Sequence, residues 1–240
     1  LSGNSIFQRL RLLTGDEGLE KLSRSSALVF GVGGVGSWCA EALVRSGIGE
    51  IGIIDPDTVC KTNINRQVQA IVSTIGLPKA DVLKKRLLDI NPDCDVTSWN
   101  TAFCRENSGI FGIEKTDYVI DAIDSIENKL DLIETAFAAG VKLFSSMGMA
   151  RKVDPSRIKV AQIWDTSGCP LARLVRQGLR ERGFSGSFTA VYSSEQIPGG
   201  WENAGEEYGK KIINGSIVTV TAAAGMFLAG LVLRDITGQP

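Results

Sequence analysis

The hexapeptide Gly31-Val32-Gly33-Gly34-Val35-Gly36 leaves this chain few folds to choose from. It follows a short apolar run, Ala27-Leu28-Val29-Phe30, and leads into residues 38–44, where apolar side chains recur at helical spacing. That pattern reads strand, tight turn, helix. Glycine admits positive φ and lets a ligand's phosphates approach main-chain N–H groups at a helix N-terminus, where the helix dipole favours negative charge. A second strand over residues 51–54 ends in Asp55, roughly 20 residues past the glycines, where a carboxylate can take ribose hydroxyls. A nucleotide is the natural guest. The glycines alone do not choose between a dinucleotide and a mononucleotide, and a tight turn without a ligand stays open.

From 27 to about 150 the strand–helix–strand pattern repeats, which predicts right-handed βαβ units and an α/β, Rossmann-like, doubly wound and mostly parallel sheet. After Asp55 comes a polar stretch, Asp57 to Gln67, containing Asn63, Asn65 and Arg66. It sits just past the carboxyl end of a strand, where open α/β sheets bind ligands. Pro78 opens a helix at its first position and puts Lys79 at the helix start, facing the same rim. A strand is expected over 95–99. Residues 118–124 read as a buried strand whose tip carries Asp121 and Asp124. Both are candidates for Mg²⁺, which is usually held by one or two carboxylates plus substrate phosphates. The alternatives are a hydrogen-bonded strand-end acid for Asp121 and a helix N-cap for Asp124.

The C-terminal half is more irregular. Residues 142–182 form the one markedly basic stretch, with Arg173, Arg176 and Arg180 at i, i+3 and i+7 on a helix beginning near Pro170. That stripe is either a solvated helix face or a track for an RNA backbone. A strand is expected over 187–195 and a mobile loop over 196–211, which holds Pro198-Gly199-Gly200. Residues 217–233 are apolar but contain Thr219, Thr221, Gly225 and Gly230, which favours a buried core helix over a membrane span. Residues 1–26 form an arm ahead of the first core strand, packing outside the sheet or on another subunit, with Arg9 on its first helical stretch.

At 240 residues and 43% hydrophobic content the chain suits one full α/β core. We divide that single domain into the arm (1–26), a nucleotide-binding half (27–150) and a substrate and dimer half (151–240). There is no histidine, so Ser-His-Asp and Cys-His catalysis are excluded, and chemistry must run on carboxylates, Lys, Arg, Cys or bound ions. Five scattered cysteines without a CxxC pair argue against a disulfide framework or a four-thiolate zinc site, and with no signal-peptide pattern they set the expectation of a cytoplasmic protein. A net charge of −1 gives no global pull toward nucleic acid, so a polyanion would need a local patch.

Together, Gly31 to Gly36, Asp55 and Asp57, the Asn63-x-Asn65-Arg66-Gln67 block, Lys79 and Asp124 resemble, in order and approximate spacing, the ubiquitin-activating-like adenylating enzymes. Within that superfamily the chain is most similar to the tRNA threonylcarbamoyladenosine dehydratases. Phe7-Gln8-Arg9, Ser37-Trp38, Asn91-Pro92, Val119 to Ser125, Tyr192 to Glu195 and Asn214-Gly215-Ser216 carry this narrower likeness. The resemblance implies ATP and Mg²⁺, with Arg66 and Lys79 clamping phosphates, Asp124 holding the metal, Asp55 fixing the ribose and the glycine-loop N–H groups completing the cradle. Ile6 stands where the family often begins an Arg-Phe pair, which leaves Arg9 as the match to an arginine reaching a neighbouring subunit's ATP, and hence implies a homodimer. It implies tRNA as partner, and leaves open a monovalent cation and a sulfur-transfer partner such as a cysteine desulfurase. The rival readings are an enzyme that activates the C-terminus of a sulfur-carrier or ubiquitin-like protein, one that passes its acyl group to Cys169, and a nucleotide- or RNA-binding module without catalysis.

Overall fold

The computed structural model describes residues 6–196, 206–208 and 211–239. Five parallel strands form: β1 (Ser26–Phe30), β2 (Glu50–Ile54) and β3 (Asp95–Trp99) in the expected runs, β4 (Tyr118–Asp121) shorter than the expected 118–124, and β5 (Lys142–Ser146). Two more, β6 (Ile158–Gln162) and β7 (Thr189–Ser193), complete a seven-stranded sheet of order β3-β2-β1-β4-β5-β7-β6, in which β6 alone runs antiparallel. β6 is not foreseen by the sequence. Its residues at 159, 160 and 162 are exposed, so this edge strand lacks the continuous apolar run that marks a central parallel strand. β7 is shorter at both ends than the expected 187–195.

Helices α1 (Gln8–Arg24), α2 (Gly36–Arg45), α3 (Lys79–Ile90), α4 (Ile126–Ala138), α5 (Pro170–Glu181) and α6 (Val218–Thr237) surround the sheet. Alternate residues of β1 face opposite ways and feed two apolar clusters. Ala27 and Val29 join Leu43, Leu83 and Leu228 on one face, while Leu28 and Phe30 join Phe103, Ile133 and Val175 on the other. A sheet covered on both faces is what near-continuous apolar strands demand. α3 begins at Lys79 with Pro78 as its N-cap, one residue later than the sequence suggests.

The chain leaves β1 toward β2 and β3, then crosses back to β4 on the other side. This puts a topological switch point between β1 and β4, where such sheets bind ligands. Phe30 pairs with both Ile54 and Asp121, so the carboxyl ends of β1, β2 and β4 lie level, with Asp55 and Asp121 flanking the turn that leaves β1.

α6 is long and apolar enough to cross a membrane by length and composition, yet it packs as the core helix that the sequence predicts. Val220, Ala224, Leu228 and Val232, spaced by four, are buried. A Cβ on Gly225 would stand 2.5 Å from Val35 O and 2.9 Å from Trp38 Cβ, so the missing side chain is what lets α6 lie against the start of α2. Within the expected loop 196–211, residues 206–208 pair antiparallel with 211–213 as a short hairpin, β8 and β9, contrary to the prediction of loop throughout. The Pro198-Gly199-Gly200 turn lies outside the described residues.

Candidate nucleotide site

The turn leaving β1 is closed by backbone contacts that only glycine permits. Gly31 has φ of 86° and its N–H donates to Ile54 O at 2.8 Å; a Cβ there would meet Ala122 O at 2.7 Å. A Cβ on Gly36 would stand 1.9 Å from Gly31 O. At Gly33, by contrast, the nearest atom to such a Cβ is Gln67 Nε2 at 3.9 Å, so the crest of the turn is open to a ligand. α2 starts here with no acidic residue in its first turn and no side-chain cap, and Val35 is its N-cap. Its dipole is therefore left to attract an anion.

Asp55 fixes this turn from below. Its Oδ2 accepts Val32 N–H at 2.8 Å and its Oδ1 accepts Asp57 N–H at 2.9 Å. Burial pushes the Asp55 carboxyl above the ordinary aspartate range, although Lys79 and the two N–H donors pull the other way. Lys79 is buried at the start of α3, its Nζ 2.7 Å from Asp57 Oδ2 and 3.9 Å from Asp55 Oδ1. The glycine turn and the ammonium thus meet at the two acids.

Arg66 lies across the crest: its Cδ is 3.3 Å from where a Cβ on Gly34 would be. Its backbone is pinned by Trp38 Nε1, which donates to Arg66 O at 2.9 Å, and its Nη1 donates to Thr62 O and Asn65 Oδ1. Half-burial lowers the guanidinium's proton affinity, but an arginine stays charged. The neighbouring amides are engaged with the protein. Asn63 Oδ1 accepts Cys60 N–H at 3.0 Å, closing the turn that holds Arg66, and Asn65 Nδ2 donates to Ser216 O at 2.9 Å, tying the block to the segment that enters α6. Gln67 is buried beside Gly33, and its Oε1 meets no donor among the described residues; the same holds for Gln69 Oε1, whose Nε2 donates to Val32 O. An open glycine crest at an uncapped helix N-terminus, with Arg66 across it and Lys79 held at the neighbouring acids, fits a nucleotide.

The strand tip differs from expectation. β4 stops at Asp121, and Asp124 lies in the turn before Ser125, the N-cap of α4. Asp121 is fully buried and bound to Lys129 Nζ at 2.6 Å, to Ser145 Oγ at 2.6 Å and to Ile123 N–H at 3.0 Å. This corrects its candidacy as a nucleotide or metal ligand: its oxygens are committed to an internal ion pair, the strand-end alternative. Asp124 is exposed, so of the two strand-tip carboxylates it is the one whose oxygens face solvent. Sequence reasoning missed Lys129, though it shares the helical face of Ile126, Leu130 and Ile133, an apolar setting in which a lysine needs a buried partner.

Other candidates lie elsewhere. Arg9 is exposed near the start of α1, and the ring of Phe7 is 3.4 Å from a Cβ placed on Gly47, just past the far end of α2. The ten residues of α2, about 15 Å of helix, separate that end from the glycine turn. On α5, Arg176 donates to Thr166 Oγ1 and Arg180 lies 5.3 Å over the Trp164 ring, so two of the three arginines in the stripe brace the turn that precedes the helix, and Arg173 is exposed. Cys169 is buried at the N-cap of α5. Among the described residues no group of three or more metal-ligating side chains occurs.

A model of the ThiF family matches residues 7–240. The chain is 40% identical over 238 residues to the tRNA threonylcarbamoyladenosine dehydratase of Bacillus subtilis, covering 96% of this chain and 94% of that protein. It superposes on the crystal structure of the Escherichia coli tRNA N6-threonylcarbamoyladenosine dehydratase in complex with ATP with a TM-score of 0.86 at 32% identity, covering 97% of this chain and 94% of that one. The sulfur carrier protein adenylyltransferase of Thermus thermophilus is 34% identical, over 54% of this chain and 47% of its own length.

Proposed function

The chain belongs to the ThiF family, and from that premise we propose that it catalyses the ATP-dependent cyclisation of threonylcarbamoyladenosine in tRNA, with net loss of water, by adenylating the threonine carboxylate. The observation that carries the reading is likeness over 96–97% of this chain and 94% of the two dehydratases, against likeness over about half the chain for the sulfur-carrier enzyme. The open crest at Gly33, with Arg66 across it and Lys79 beside Asp55, supports nucleotide binding at this turn.

A carboxylate is a poor electrophile. Its attack on the α-phosphate of ATP releases pyrophosphate and leaves an acyl adenylate; a nitrogen of the substrate's own carbamoyl group then attacks the acyl carbon, AMP departs and the ring closes. No enzyme thiol takes part. Negative charge builds on phosphoryl oxygens, so the protein's task is positioning and electrostatic stabilisation. Arg66 and Lys79 clamp the phosphates, the first-turn N–H groups of α2 complete the cradle, and Asp55 presents its remaining lone pairs to the ribose. Asp124 holds Mg²⁺, which would neutralise phosphate charge when bound. Arg9, a helix's length from its own glycine turn, serves a partner subunit's site in a homodimer. A sulfur-transfer partner and a monovalent cation remain compatible with this assignment, and a tRNA substrate implies the cytoplasm.

The test is mass spectrometry of nucleosides from tRNA bearing threonylcarbamoyladenosine, incubated with the protein, ATP and Mg²⁺. The expected product is lighter by one water, forms only with ATP and is absent with Arg66→Ala. Unchanged tRNA, from a protein shown to bind ATP, would overturn the assignment and turn the search to protein C-termini.

A further inference from the structure

Lys129 is fully buried in α4, and its ammonium is held by three groups at once: Asp121 Oδ2 at 2.6 Å, Ser146 O at 3.1 Å and Ser145 Oγ at 3.4 Å. These partners sit on the adjacent carboxyl ends of β4 and β5. Asp121 uses its other oxygen to accept Ile123 N–H, in the three-residue segment between β4 and the Ser125 cap. That segment touches the glycine turn directly. Ala122 N–H donates to Phe30 O at 2.8 Å, Ala122 O is the atom a Cβ on Gly31 would strike, and Ala122 Cβ would be 3.2 Å from one on Gly36. Its last residue is Asp124.

Buried charges persist where they are paired and hydrogen-bonded, and such a pair has one preferred geometry. We infer that Lys129 is a positioning residue of the nucleotide site: through Asp121 it fixes segment 122–124 against the glycine turn and so aims Asp124 at the metal-bearing phosphates. It makes no contact with substrate itself, since none of its surface is exposed. The inference rests on the proposed role of Asp124 and goes beyond it by naming what holds that carboxylate in place.

Three variants test it: Lys129→Met, the neutral pair Asp121→Asn/Lys129→Met, and Lys129→Arg. Calorimetry with a non-hydrolysable ATP analogue, with Mg²⁺ and with chelator, reads the gain in affinity that Mg²⁺ confers, and thermal unfolding is recorded alongside. The expected result is a roughly 10–100-fold smaller Mg²⁺ gain in Lys129→Met and in the neutral pair, the range found for residues behind metal ligands, with metal-free affinity little changed. Lys129→Arg restores most of it. If Lys129→Met does not fold, the neutral pair and Ser145→Ala, which removes one partner of Asp121, carry the measurement. A folded neutral pair with the full Mg²⁺ gain and only a lower melting temperature would reduce Lys129 to a structural residue and overturn the inference. If Asp124→Asn also keeps the full gain, the metal assignment itself falls, and the inference with it.

Discussion

Substituting Gly36 by alanine tests the glycine turn at its tightest point. The new Cβ would lie 1.9 Å from Gly31 O and 3.0 Å from Gly31 C. Carbon and oxygen in close contact stay about 3.3 Å apart or more, so one side must move by more than about 1 Å. Neither is a flexible side chain. Gly31 is held by its hydrogen bond to Ile54 O and by Ala122 O on its other flank, and Gly36 is the first residue of α2. Overpacking against a fixed backbone costs about 1–3 kcal/mol, and this contact belongs at the top of that range. At 2–4 °C per kcal/mol for a chain of this size, the melting temperature should fall by roughly 6–12 °C. The displaced turn also moves Val32 N–H off Asp55, so ATP affinity should fall at least tenfold by calorimetry. Gly230→Ala is the control: it lies in α6 with nothing within 4 Å of its Cβ, and should stabilise by about 0.5–1 kcal/mol through helix propensity. Wild-type stability and ATP affinity in Gly36→Ala would refute the reasoning.

Glu41 is buried between Arg86 and Arg45, at 2.6 and 2.8 Å; burial alone would raise its carboxyl, but the two guanidinium partners outweigh it and hold it below its ordinary 4.5. A depressed carboxylate lends stability above its unfolded value and loses it as pH falls through the folded one, so Glu41→Gln should lower the melting temperature at neutral pH and flatten its decline below pH 4.5; parallel curves would contradict this. A disulfide reagent should label exposed Cys60 first and spare buried Cys39 and Cys169, with Cys94 pushed up to about 11 by burial, and Cys169→Ala should keep full turnover, since a dead variant would revive an acyl-thioester path. Mixing Arg9→Ala with Arg66→Ala should restore roughly a quarter of wild-type turnover, because in a two-fold dimer half the random pairs are mixed and each mixed pair has one intact site. No recovery would place Arg9 in its own subunit's chemistry or in none.

What was legible in the sequence was local. The glycine turn, Asp55 at the end of β2 and Lys79 at the head of α3 are each fixed by a strand end or a helix start, which apolar spacing and a single proline disclose. The Asp121–Lys129 pair was not, because the lysine looks like an ordinary helix charge until the tips of β4 and β5 are brought over it. Asn63 and Asn65 lie in the polar stretch at the ligand-binding edge of the sheet, yet Asn63 Oδ1 closes the turn that holds Arg66 and Asn65 ties that turn to Ser216 O; a polar motif near a site does not say which members face the ligand and which hold the others. The arginine stripe of α5 was legible only as a helix face, for a related reason. Helical spacing gives a face, whereas Trp164 and Thr166, which take two of its three arginines, come from a separate turn.

The two acids after β2 illustrate how neighbouring residues of one type come to differ. Both approach Lys79: the buried Asp55, at 3.9 Å, attracts it by roughly 4 kcal/mol at an effective dielectric of about 20, whereas the exposed Asp57 contributes no more than about 1 kcal/mol, and arriving phosphates compete with both for the ammonium. Asp55 cannot yield. It is buried, each of its oxygens accepts a backbone N–H, and turning it away would strand Val32 N–H inside the glycine turn. Asp57 can, since its side chain is 66% exposed and water replaces the lysine at little cost. In the proposed reaction phosphate therefore displaces Asp57 from Lys79, and Asp55 stays in place for the ribose. Asp57→Asn should accordingly tighten ATP binding or leave it unchanged, whereas Asp55→Asn, which sets an amide NH₂ against one of two N–H donors, should weaken it; the opposite ranking by calorimetry would show that the exchangeable acid is the buried one.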